Sequence, residues 1–483
     1  MNVRVVRRYE SKLPSDDDHP YRTGAWRPNL VEYDADDLDV IEGRLPADLE
    51  GTYLRNTENP LLPAIGRYHP FDGDGMLHAI RFGGGRASYR NRMVATHGLA
   101  AELEAGMPLW AGIIEPAAKS TRPGWGARGA MKDASSTDVV VHAGKALTSF
   151  FQCGDLYAHD VETLASSGPL PWAGSFGGFG VSAHPKLDER TGELIVFGYG
   201  TQAPYFSLGI VDRAGMLVHE REVPLPGPRL PHDIAFTEHY AIVGDFPLFW
   251  DPDLLAKGGH RPRWYPDLPT RFGVVPRRGD DEIRWFEAAP TYVLHFINAF
   301  EDGEAIVLDG YFQRDPMPRP DPADGPWAAV KKMVDMHAMG TRPHRWRLDL
   351  RTGLVREEPL LDLVSEFPSI DGRFAGHRHR YVYAMTGKPG WFLFDGMVRL
   401  DTDTGAVQRF AWPDGTYGSE APVAPRGAGE ADGYVVSFVS DTVRDTSECQ
   451  VFDAAHIDAG PVARVRLPER ICAGTHACWT SAL

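Results

Sequence analysis

Four histidines in this sequence stand where an imidazole could do chemistry. His184 lies in Ser182-Ala183-His184-Pro185, His232 in Leu230-Pro231-His232-Asp233, His295 in Val293-Leu294-His295-Phe296, and His476 in Gly474-Thr475-His476-Ala477. Apolar or small residues predominate around each, which places the ring at a buried strand end rather than on a solvated loop. A buried imidazole needs a hydrogen-bond partner or a metal. The chain has 18 histidines, so most are unrelated to any ion, and any one of the four taken alone is more ordinarily a satisfied core residue. Their wide separation means that spacing cannot define a site; a fold must bring them together.

A second grouping competes for a metal. Cys472 and Cys478 flank His476 within seven residues. A structural zinc site wants four ligands and commonly a close Cys-x-x-Cys pair, and the four cysteines (Cys153, Cys449, Cys472, Cys478) contain no such pair.

The elements that must position these residues read as strands. Short β-branched or aromatic runs, such as Asp138 to His142, Glu193 to Phe197, Ala305 to Leu308 and Gly433 to Phe438, sit between turn signals. Asp-Gly pairs at 72–73, 302–303, 371–372 and 432–433 are hairpin-type signals. The phrase Asp-x-x-Thr-Gly recurs at Asp188, Asp349 and Asp401, each time between two strand-like runs; it marks either a repeated unit or simply a good turn. Many short strands at regular spacing indicate a sandwich, barrel or propeller, and 483 residues suit blades of about 40 to 50 residues each. A propeller would also bring distant histidines to a common axis. Helical patterns are confined to Ala100 to Gly106 and Trp327 to His337. No Gly-rich phosphate loop or composition break marks a further domain, so one domain is expected over 1–483, with an N-terminal extension over 1–30 that is partly irregular.

The bulk numbers exclude several classes. A net charge of −16, from 66 acidic and 50 basic residues, makes nucleic acid an unlikely partner, because an acidic chain gains little from phosphate counterion release. No run approaches the roughly 20 apolar residues that span a bilayer. Asp16-Asp17-Asp18 falls where a signal peptide needs its apolar core. With so few cysteines the expectation is a cytoplasmic protein.

Several phrases, in order along almost the whole chain, resemble the carotenoid cleavage oxygenases, a family that includes apocarotenoid oxygenases, lignostilbene dioxygenases and the retinoid isomerase of vision. They are Leu45-Pro46-Ala47-Asp48-Leu49-Glu50-Gly51-Thr52-Tyr53-Leu54-Arg55-Asn56, Phe71-Asp72-Gly73-Asp74-Gly75-Met76-Leu77-His78, and the run from His295 to Glu301. Glu366-Phe367-Pro368 ahead of Arg380-Tyr381-Val382-Tyr383 also matches, as does Ser419-Glu420-Ala421-Pro422 ahead of Gly433-Tyr434-Val435-Val436.

The resemblance implies an all-β, seven-bladed β-propeller with a helical and loop cap over an axial Fe(2+) held by His184, His232, His295 and His476. It implies that Glu366 and Glu420 orient ligating rings, with Gln152 standing where the family has a third glutamate; Asp155 would take that place if the alignment slips by three. Glutamine can still accept a ring N–H through its carbonyl oxygen but carries no charge.

The implied reaction is dioxygen-dependent cleavage of a carbon–carbon double bond in an apolar conjugated substrate, giving two carbonyl products. Two substrate classes are open. The polar tyrosine and lysine that the resemblance associates with stilbenoid phenols are replaced here by Ile113 and Phe151, beside Phe71, which favours a carotenoid or apocarotenoid polyene. Lys132 is a further candidate in that pocket and keeps a stilbenoid or phenylpropenoid substrate in view. A polyene isomerase or a metal-binding interaction propeller are the readings without oxygenation. Finally, the aromatic run from Phe246 to Leu255 would dip into a bilayer interface if exposed, or line a tunnel and pack a loop if not.

Overall fold

The computed structural model describes residues 1–122 and 131–481. Among these, seven antiparallel sheets of four to six strands and one two-stranded ribbon account for the strands. The seven larger sheets are the blades of a seven-bladed β-propeller. The chain divides into two compact units, Met1–Ala183 with Arg409–Leu483, and His184–Gln408.

In the first unit, two blades join strands from opposite ends of the sequence. Ala477–Ser481 pairs with Gly51–Glu58, and Val40–Gly43 pairs with Pro461–Arg466. The first 30 residues contribute Asn2–Arg8, an edge strand on Val31–Asp36. Tyr53, Ile80, Val436, Phe438 and Val451 pack one core between these sheets, with Tyr53 and Phe438 edge to face at 4.7 Å.

In the second unit, successive blades begin with Lys186–Asp188, Ile234–Phe236, Phe296–Asp302 and Glu366–Ser369. Strands of a blade's interior read as continuous apolar runs because both faces are covered: Glu193–Tyr199 and Phe206–Val211 are buried throughout. The outermost strand of the same blade, Leu217–Glu222, alternates exposed and half-buried positions. Phe272, Leu308 and Trp346 centre the core of this unit, the Phe272 and Trp346 rings 5.2 Å apart.

The recurring Asp-x-x-Thr-Gly is one turn used three times. The carboxylates of Asp188, Asp349 and Asp401 each accept from the backbone N–H groups two and three residues on. Gly192, Gly353 and Gly405 close the turn at φ of 73°, 76° and 74°, a region open to glycine without steric cost. The turn joins the first and second strands at Asp188 but the third and fourth at Asp349 and Asp401, so it does not mark a fixed blade position. Of the Asp-Gly pairs, 302–303 is a hairpin, whereas Asp72 and Gly372 belong to short 3-10 turns. The helices form close to the expected places, at His97–Ala105 and, in two pieces, Ala328–Lys332 and Met336–Met339. No helix among the described residues is long and apolar enough to cross a membrane.

Candidate metal centre

Each candidate ligand in the second unit sits at the head of a blade's first strand. His184 precedes Lys186–Asp188 by two residues, His232 precedes Ile234–Phe236 by two, and His295 directly precedes Phe296–Asp302. All three are buried. Their rings converge: centroids are 4.7 Å apart for His184 and His232, 5.0 Å for His184 and His295, and 5.4 Å for His232 and His295. The Nε2 atoms of His184 and His232 stand 3.1 Å apart. Two imidazole nitrogens bound at right angles to one ion, each at about 2.1 Å, lie roughly 3 Å from each other. The spacing and the neutral donor set therefore fit a divalent ion that accepts imidazole.

Glu366 opens the next blade and is fully buried. Its Oε2 lies 2.6 Å from His295 Nδ1 and accepts the Phe367 backbone N–H at 2.5 Å. A carboxylate on Nδ1 fixes the tautomer that leaves the Nε2 lone pair for a metal. The Phe367 ring packs edge to face on His295 at 4.9 Å, which limits rotation of the imidazole. His184 and Phe367 both have left-handed backbone, at φ of 66° and 55°. Non-glycine residues seldom adopt this conformation, and it concentrates at functional sites.

Asp233 was not singled out from the sequence, yet it ties the three histidine-bearing strands together. Its buried carboxylate accepts from Lys186 Nζ at 2.7 Å, two residues after His184, and from the Phe296 backbone N–H at 2.9 Å, directly after His295. It also accepts from its neighbour Ile234 at 2.7 Å. Its position beside His232 was the available signal, and its partners are 47 and 63 residues away along the chain (233 − 186 and 296 − 233).

In the first unit, His476 directly precedes Ala477–Ser481 and is buried. Its Nδ1 lies 3.3 Å from Glu420 Oε2, and that oxygen accepts the Ala477 N–H at 2.5 Å. Glu420 thus holds His476 as Glu366 holds His295, through a ring nitrogen and an adjacent backbone N–H. The competing zinc grouping loses a ligand here: the buried Cys472 thiol donates towards the carbonyl oxygens of Trp26 and Glu58, and burial pushes it up to about 12.

Gln152 is buried, with no hydrogen-bond partner for Oε1 among the described residues, while Asp155 is only half-buried. Phe71 and Phe151 meet edge to face at 5.9 Å, and Ile113 and Phe151 pack on a cluster of Met131, Ala134 and Phe150. Lys132 lies close by, but its ammonium is already held by Asp74 at 2.6 Å and Glu102 at 2.8 Å.

The aromatic run that begins at Phe246 is largely packed, with Leu254 its one exposed large apolar side chain. Phe246, Leu248, Phe249 and Trp250 are buried. Phe249 stacks on Tyr265 at 4.4 Å, beneath the Arg229 guanidinium at 3.9 Å. The packing alternative accounts for these side chains.

Comparison with known proteins agrees with this arrangement. Residues 26–481 match the family model described as retinal pigment epithelial membrane protein, RPE65. The chain is 30% identical to isoeugenol monooxygenase of Pseudomonas putida, over 96% of this chain and 99% of that protein. It is 32% identical to a probable chloroplastic carotenoid cleavage dioxygenase 4 of Arabidopsis thaliana, over 96% and 81%. The crystal structure of Pseudomonas brassicacearum lignostilbene dioxygenase superposes with a TM-score of 0.84 at 28% identity, over 96% of this chain and 99% of that one. With the blades, the converging histidines and matches over nearly its full length, this chain belongs to the RPE65 family, the carotenoid cleavage oxygenases.

Proposed function

We propose that the protein is an iron(II)-dependent dioxygenase that cleaves a carbon–carbon double bond of a carotenoid- or apocarotenoid-type polyene. His184, His232, His295 and His476 would hold the iron. The convergence of three buried imidazoles from three successive blade heads carries this reading. When bound, iron(II) supplies activation of dioxygen for addition to the alkene.

The remaining work falls to this chain's own residues. Glu366 keeps the Nδ1 proton of His295 in place, and Glu420 does the same for His476. Gln152 offers a neutral carbonyl oxygen where the family resemblance places a third glutamate. Four neutral nitrogen donors leave the ion its full charge and positions for dioxygen. Phe71, Ile113 and Phe151 form an apolar wall that excludes water from the conjugated chain.

A stilbenoid or phenylpropenoid alkene is the second reading. It is favoured by the Lys132 ammonium near that wall and by the likeness to isoeugenol monooxygenase and lignostilbene dioxygenase. The test incubates anaerobically iron-loaded protein with a polyene aldehyde or a hydroxystilbene, admits dioxygen, and follows gas uptake and product mass. Two carbonyl fragments from the polyene, with matched dioxygen consumption, are expected. An isomerised but intact substrate without uptake would replace the dioxygenase by an isomerase.

A further inference from the structure

We propose that Asp233 and Lys186 are positioning residues that hold His184, His232 and His295 in their metal-binding arrangement before any metal arrives. This role rests on the reading that the three rings ligate a metal.

The carboxylate of Asp233 gathers donors from three blades. Its Oδ1 accepts from Lys186 Nζ at 2.7 Å and from the Ile234 N–H at 2.7 Å, and its Oδ2 accepts from the Phe296 N–H at 2.9 Å. Each donor belongs to the first residue of a blade's first strand, in Lys186–Asp188, Ile234–Phe236 and Phe296–Asp302. These strands are neighbours. Lys186 and Ile234 each follow their histidine by two positions, and Phe296 follows His295 by one. One buried carboxylate therefore fixes the spacing of the three backbones from which the rings spring. Glu366 acts differently, on the ring of His295.

His184 depends most on such an anchor. Its backbone is left-handed, at φ of 66°, whereas Pro185 favours extended backbone at the residue before it. A non-glycine residue keeps a strained conformation only where its surroundings impose it. Immediately past Pro185 the chain is pinned through Lys186. The Asp233 side chain is 1% exposed and that of Lys186 26%, so water screens the pair little, and a buried carboxylate that loses its cation is costly. Without the pair the segment through His184 is free to relax, and its Nε2 leaves the position 3.1 Å from that of His232.

Cobalt(II), which also accepts imidazole, is the probe, because its visible absorption bands report the number and arrangement of its ligands. Lys186→Met should weaken cobalt binding by at least about tenfold and change the band intensities, and Lys186→Arg should restore both. Arg345→Met is the control. It takes the cation from the buried Asp309 in the same unit, so it should lower the unfolding temperature and leave the cobalt bands as in the wild type. If both methionine variants lose stability but keep wild-type cobalt affinity and bands, Lys186 is merely structural and the proposal is overturned. Should Lys186→Met not fold, wild-type protein decides. Amide hydrogen exchange at Phe296 should be as slow without cobalt as with it, and protection that appears only on adding cobalt overturns the proposal. Wild-type protein that takes up no cobalt removes the metal reading and the positioning role together, whereas cobalt binding indifferent to Lys186→Met removes the positioning role alone.

Discussion

Replacing His295 with alanine is expected to yield a folded chain that retains no stoichiometric iron and cleaves no double bond. His295 contributes its ring to the site but only its backbone to the sheet, where its carbonyl accepts from the Tyr311 N–H at 3.2 Å. That bond survives truncation. The lost ring leaves the buried Glu366 carboxylate with the Phe367 N–H but without its imidazole, a change of about 1–3 kcal/mol. A typical domain has 5–15 kcal/mol in hand, so the fold should tolerate it. Metal analysis beside a thermal unfolding curve checks both halves. Full iron retention by the folded variant would remove His295 from the ligand set.

Glu366→Gln should weaken iron binding by roughly 10- to 100-fold while leaving the fold nearly unchanged, the usual effect of losing a partner that orients a ligand. The substitution keeps the shape and one acceptor oxygen. That oxygen cannot carry the negative charge that now faces His295 Nδ1 at 2.6 Å, and the new amide N–H groups must turn away from the Phe367 N–H. The comparison is informative because position 152 already carries a glutamine. Competition with a metallochromic chelator gives the affinity, and an unchanged constant would mean that the carboxylate does not steer the ring.

Much of this arrangement was legible in the amino-acid sequence. The all-β class could be read from short β-prone runs between turn signals, whereas the choice of four histidines among 18 and the number of blades came from the family resemblance, because strands of two to nine residues set no regular repeat. What escaped depends on contacts between residues far apart in sequence. Asp233 looks like an ordinary neighbour of His232 until Lys186 and Phe296 are brought to it. Lys132 reads only as a candidate for the substrate pocket until Asp74 and Glu102, 58 and 30 residues away, close on it. The aromatic run after Phe246 is equally compatible with a membrane-facing patch or a packed loop, because hydrophobicity does not say which surface covers it. Phe249 is covered by the Tyr265 ring and the Arg229 guanidinium that sandwich it.

The measurement that bears most directly on the ligand set is X-ray absorption at the iron edge of the reconstituted protein. Four imidazoles around one ferrous ion predict a coordination shell of nitrogen and oxygen only, with the outer scattering that imidazole rings produce. A sulfur shell, pointing to Cys472 or Cys478, or a protein that takes up zinc and refuses iron, would contradict it.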